Sequence, residues 1–119
     1  MARDSWYRNR KNSDRIINKA EKRIAILDMA IPIAARKHYM MVTKAEIGDI
    51  AVWAAQGLTY YFGMIDEFRI SIVGRAIERY RQDKDYDSAI VIAQAIIVNF
   101  GELSGLTKNE RFEILNLFV

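Results

Sequence analysis

The chain has 119 residues, 51% hydrophobic and 11% aromatic, with 18 Lys/Arg against 15 Asp/Glu. That length fits one domain with a real core, and the apolar content excludes a disordered chain. Cysteine is absent and His38 is the single histidine, which excludes a disulfide framework, thiolate chemistry and a zinc site built mainly from His and Cys.

Charge divides the chain. Residues 1–37 hold ten bases (Arg3, Arg8, Arg10, Lys11, Arg15, Lys19, Lys22, Arg23, Arg36, Lys37) against four acids (Asp4, Asp14, Glu21, Asp28); residues 38–119 hold eight against eleven. A cationic leading segment on a mildly acidic body points to a polyanionic partner, nucleic acid first. Residues 1–12 read as a basic N-terminal arm, and residues 13–119 as a single helical-bundle domain. Ser13 is expected to cap a helix whose apolar face carries Ile17, Ala20, Ile24, Leu27 and Ile31. Pro32 lacks an amide donor and crowds the preceding turn, so a break is expected near Ile31, with residues 33–42 as a second helical piece.

Thr43 and Glu46 stand at capping-box spacing and predict a helix with Ile47, Ile50, Ala51 and Ala54 inward, ended by Gly57. A long helix is predicted from Thr59 to Gln82, with Tyr61, Ile65, Phe68, Ile72, Ala76 and Tyr80 on one face. Glu78 lies three residues from Arg75 and from Arg81. Gly63 and Gly74 inside it suggest close packing against a neighbour. Asp87 is expected to cap a buried helix over Ser88–Phe100, apolar nearly all round, which Gly101 closes. Thr107 and Glu110 repeat the capping box before a last helix with Phe112, Leu115 and Phe118 on one side. The expected fold is all-α, a bundle of four to five helices with a basic N-terminal arm or helix. Its most apolar stretch is about twelve residues, where a membrane span needs roughly twenty. Neither a membrane partner nor a secretory signal is expected.

Candidate chemistry is sparse. Asp83, Asp85 and Asp87 imitate the opening of a calcium loop, but Ser88 stands where the glycine should be and Gln94 where the bidentate glutamate should be. Asp66 and Glu67 are neighbours on a helix and point roughly 100° apart, so they do not converge on one substrate. Neither a P-loop nor a dinucleotide fingerprint occurs. The expectation is no enzyme, no metal and no cofactor. Among Trp53, Tyr60, Tyr61, Phe62, Phe68 and Tyr80, the run 60–62 covers too much of a helix circumference for one small core, so at least one ring should lie exposed or meet another chain.

Arg8, Lys11, Arg15, Lys19 and Lys22 recur at spacings of three and four, one cationic stripe on a helix. With Arg3, Arg10 and Arg23 they are the candidate phosphate contacts, binding through charge and not by base reading. Trp6 and Tyr7 can stack on bases, wedge a groove or anchor the arm. The layout of the arm ARDSWYRNRKN, the basic helix SDRIINKAEKRI and an Ile- and Tyr-rich bundle resembles the major coat proteins of filamentous archaeal viruses. That resemblance implies double-stranded DNA, in A form, wrapped into a helical virion assembled in the host cytoplasm. It also implies copies of the chain as partners, often with a second coat chain. The competing expectation is a small viral or plasmid interaction or regulatory module acting as a dimer.

Overall fold

The computed structural model describes residues 2–99, 103 and 105–118, with side chains described for 18–98, 103 and 105–118. Among the described residues all regular structure is helical: α1 (Ala2–Arg36), a 3-10 turn (Tyr39–Met41), α2 (Lys44–Ile50), α3 (Val52–Phe62), α4 (Ile65–Asp83), α5 (Tyr86–Asn99) and α6 (Lys108–Asn116). The all-α bundle is as expected; six α-helices replace the expected four to five, because the breaks fall at different residues.

α1 is one helix of 35 residues, with Ser13 and Pro32 inside it. Ser13 therefore lies inside the helix and not at its start, and α1 runs unbroken through residues 12 and 13. A proline inside a helix costs about 3 kcal/mol. Ile31, Ile33 and Ala34 on either side of it are buried, and their packing offsets that loss. The helix stops one turn later, at Arg36. The segment expected to form a second helical piece contributes only the 3-10 turn, and the His38 imidazole Nδ1 accepts the Met40 amide there at 3.1 Å.

Both threonine boxes form as expected. Thr43 accepts from the Glu46 amide while Glu46 accepts from the Thr43 amide, and Thr107 and Glu110 do the same. α2 nevertheless ends at Ile50, because Ala51 is extended and starts α3. A Cβ on Gly48 would sit 3.4 Å from the Ala55 Cβ, so the corner is tight and favours small residues. Gly57 lies inside α3. Gly63, with φ 81°, ends it and divides the long helix expected over 59–82. α4 then opens with the Met64 amide donating to the Glu67 carboxylate at 3.3 Å.

Of the expected face, Phe68, Ile72, Ala76 and Tyr80 are buried in α4, whereas Ile65 at its start is exposed and Tyr61 falls in α3, half-buried. Close packing at Gly74 is not found: no described atom lies within 4 Å of a Cβ placed there. α5 is capped by Asp85 and not by Asp87. The Asp85 carboxylate accepts the Ser88 amide at 3.1 Å and the Ser88 hydroxyl at 2.6 Å. The expected stop at Gly101 lies outside the described residues. Ala89, Val91, Ile92, Ala93, Ala95 and Ile96 are buried among α1, α4, α6 and the 3-10 turn. α6 anchors through Ile114, which is fully buried, whereas Phe112 and Phe118 are exposed.

Candidate nucleic-acid interface

Among the described side chains of α1, core burial begins at Ile26. Within the described side chains before it, Asn18, Lys19, Ala20, Glu21 and Ile24 are exposed. The apolar face expected to dock the helix therefore docks at Leu27 and Ile31 but stands uncovered at Ala20 and Ile24. Arg3, Trp6, Tyr7, Arg8, Arg10, Lys11, Arg15 and Ile17 have side chains outside the described residues.

The three remaining candidates, Lys19, Lys22 and Arg23, all face α3. The Lys19 ammonium lies 4.6 Å from the centre of the Tyr60 ring and the Lys22 ammonium 5.9 Å from that of Trp53. The Arg23 guanidinium lies 4.7 Å from the Phe62 ring. It also donates to the Tyr61 carbonyl. That carbonyl is in the last turn of α3, where intrahelical donors run out and the helix dipole favours a cation. Arg23 is thus committed to capping α3. Lys19 and Lys22 share one face with Tyr60, 68% exposed, and Trp53, 43% exposed. Cations over exposed rings contribute about 0.5–1 kcal/mol each, too little to immobilise the ammonium groups. Sequence reasoning placed the lysines but not their ring partners. The only available sign was the excess of aromatic surface around residues 60–62, and Tyr60 is indeed the exposed member.

Several cations of the body, Arg69, Arg75, Arg79, Arg81 and Lys84, are engaged within it. Asp28 receives Arg75 through both oxygens, at 2.8 and 3.2 Å. Arg79 bridges Asp28 and Asp85, at 3.5 and 3.1 Å. Arg81 grips both oxygens of Glu110, at 2.7 and 2.8 Å, and holds that carboxyl at about 2. Lys84 meets Glu113 at 2.9 Å, and Glu113 also accepts the Tyr80 hydroxyl. Lys37 pairs with Glu46 at 3.1 Å and keeps its carboxyl below the usual range. The carboxylates singled out in the sequence are used in the same way. Asp66 faces Arg69 and Glu67 caps α4.

Among the described residues no three His, Asp or Glu side chains gather to hold a metal, and no helix is long and apolar enough to cross a membrane. In comparisons with known proteins, no family model, no curated protein and no solved structure matches the chain.

Proposed function

We propose that this chain is a structural nucleic-acid-packaging protein, a viral coat subunit that wraps double-stranded DNA without sequence specificity into a helical filament. One observation carries the reading: nine Lys/Arg against four Asp/Glu lie on the single long helix α1. A 35-residue helix is about 52 Å long, enough to follow several phosphates along a duplex. The internal pairing of Arg75, Arg79, Arg81 and Lys84 adds support, because it neutralises much of the body's positive charge while the leading segment keeps its net excess of bases. Lys19 and Lys22 then reach phosphate from the rim of the Trp53–Tyr60 face, with Arg3, Arg8, Arg10, Lys11 and Arg15 further along. Trp6 and Tyr7 lock the leading turns against DNA or the next subunit. Copies of the chain, with room for a second coat chain, complete the virion.

Retention on duplex DNA at two salt concentrations tests this. Six or more phosphate contacts should lose roughly a thousandfold in affinity between 50 and 200 mM salt. The R15E/K19E/K22E variant should fold and fail to package. Flat affinity across that range, or normal filaments from the variant, would remove the assigned role of α1.

The competing reading is a dimeric interaction module. It is favoured by Tyr86, Phe112, Leu117 and Phe118, all exposed, with Tyr86 and Phe118 rings 5.8 Å apart. Negative-stain imaging with DNA separates the two: filaments support packaging, discrete small particles the module.

A further inference from the structure

The outward face of α4 carries an unexplained pattern. Residues seven apart return to within about 20° of the same direction on a helix, so Glu67, Gly74 and Arg81 form one line along it. Ile70 and Ile77 lie to one side of that line, Ser71 and Glu78 to the other. Ile70 is 68% exposed. With Val73, Ile77, Ala95 and Leu103 it edges an apolar groove of about 300 Å³ between α4 and α5. A second groove, of about 400 Å³, opens between Gly74 and Ser71 of α4 and Ala20, Ile24 and Leu27 of α1. Gly74 borders both grooves. A glycine in mid-helix costs about 1 kcal/mol against alanine, and among the described residues nothing approaches it.

We infer that this face meets the same face of a second copy, with two α4 helices antiparallel about a two-fold axis at Gly74. That axis pairs residues equally spaced on either side of the glycine. Glu67 comes opposite the partner's Arg81, and Arg81 opposite the partner's Glu67. Because an in-plane two-fold keeps each flank on its own side, the exposed Ile70 enters the partner's apolar groove over its buried Ile77, and Ser71 meets the partner's Glu78. Acid therefore faces base, aliphatic faces aliphatic, and hydroxyl faces carboxylate, all from one helix pairing with itself. An isologous interface demands this self-complementarity. Arg81 keeps 46% of its side chain exposed while paired to Glu110, so it can accept a second carboxylate. Absence of a side chain at Gly74 leaves the crossing point clear, so the helix axes can settle about 9–10 Å apart, with the two Gly74 α carbons roughly 5 Å from each other. Ile70, Ile24 and the two grooves are covered in the same step. The inference locates the self-association contained in the proposed function but does not depend on DNA binding.

The chain has no cysteine, so a single introduced thiol is a clean probe. In nucleic-acid-free solution, Gly74→Cys should oxidise to a disulfide-linked dimer, since the α carbons at the axis fall within the roughly 4.4–6.8 Å that a disulfide spans. Gln56→Cys, on exposed α3, is the control. Oxidation at position 74 should be at least about tenfold faster, because dimerisation raises the local thiol concentration. Ile70→Arg, at an exposed position that leaves the core intact, should convert the wild-type dimer to monomer in light-scattering chromatography. A monomeric wild type, equal oxidation at positions 56 and 74, or an undisturbed dimer in the Ile70→Arg protein would each overturn the interface. Failure to bind DNA alongside a normal Gly74→Cys dimer would count against the packaging function alone.

Discussion

Gln94 on α5 closes the end of α1: its amide nitrogen donates to the Ala34 carbonyl at 2.9 Å, while its carbonyl accepts the Tyr39 amide at 3.0 Å. Ala34 lies in the last turn of α1, where carbonyls lose their intrahelical donors. Tyr39 begins the 3-10 turn. One polar side chain thus joins two elements more than fifty residues away in sequence. Gln94→Leu keeps the volume and strands both half-buried backbone groups, and should cost about 2 kcal/mol. Chemical denaturation should show a lower midpoint with an unchanged slope; an unaltered midpoint would mean that water replaces the amide.

That clamp marks the boundary of what the sequence reveals. In the sequence Gln94 shows only that a calcium loop fails, and its structural role is hidden because its partners come from α1 and from the turn after it. The threonine boxes at Thr43 and Thr107 were legible because both halves lie within four residues. Gly63 and Pro32 were misplaced for the opposite reason. A glycine's meaning depends on φ, and a proline can stay inside a helix when buried neighbours such as Ile31 and Ile33 offset its cost. The same limit governs the candidate site. Spacing alone put Lys19 and Lys22 on one face, but Trp53 and Tyr60, which that face meets, come from a helix more than thirty residues away.

The Lys22–Trp53 contact predicts a spectroscopic signal. Trp6 and Trp53 are the only two tryptophans, so Trp6→Phe isolates Trp53. In that background, Lys22→Met should shift the emission of Trp53 while lowering stability by no more than about 1 kcal/mol. Charge reversal at Lys19 and Lys22 should likewise leave the helical circular-dichroism signal in place. Unfolding of the double reversal would mean that these lysines hold α1 to α3.

Gly63 and Gly74 should respond in opposite ways to alanine. At Gly63 the backbone is left-handed, with φ 81°, and a Cβ would collide with the Glu67 carboxylate that caps α4. Gly63→Ala should therefore destabilise by at least about 1 kcal/mol. At Gly74 the backbone is helical and the space is open. Gly74→Ala should raise the Tm of dilute protein, with a gain of up to about 1 kcal/mol. Thermal melts of the two variants at low concentration compare them directly, and a loss at Gly74 would show that the residue is packed within the monomer.

Acid stability should depend on the pairing of Arg81 with Glu110. Contact with the guanidinium, aided by the Thr107 cap, brings the Glu110 carboxyl from an ordinary 4.5 down to about 2. A lowered value means that the folded state binds the proton less readily than the unfolded chain does. The stabilisation is therefore complete above about 4.5 and is lost as pH falls through the interval towards 2. Arg81→Met removes the partner and should flatten this dependence, lowering the Tm at pH 6 while leaving it nearly unchanged at pH 2. Glu113, lowered by the Tyr80 hydroxyl and then by Lys84, should add a smaller dependence of the same sign. Melting curves of wild type and Arg81→Met across that interval check the assignment, and parallel curves would show that the Arg81–Glu110 pair contributes nothing to the acid dependence.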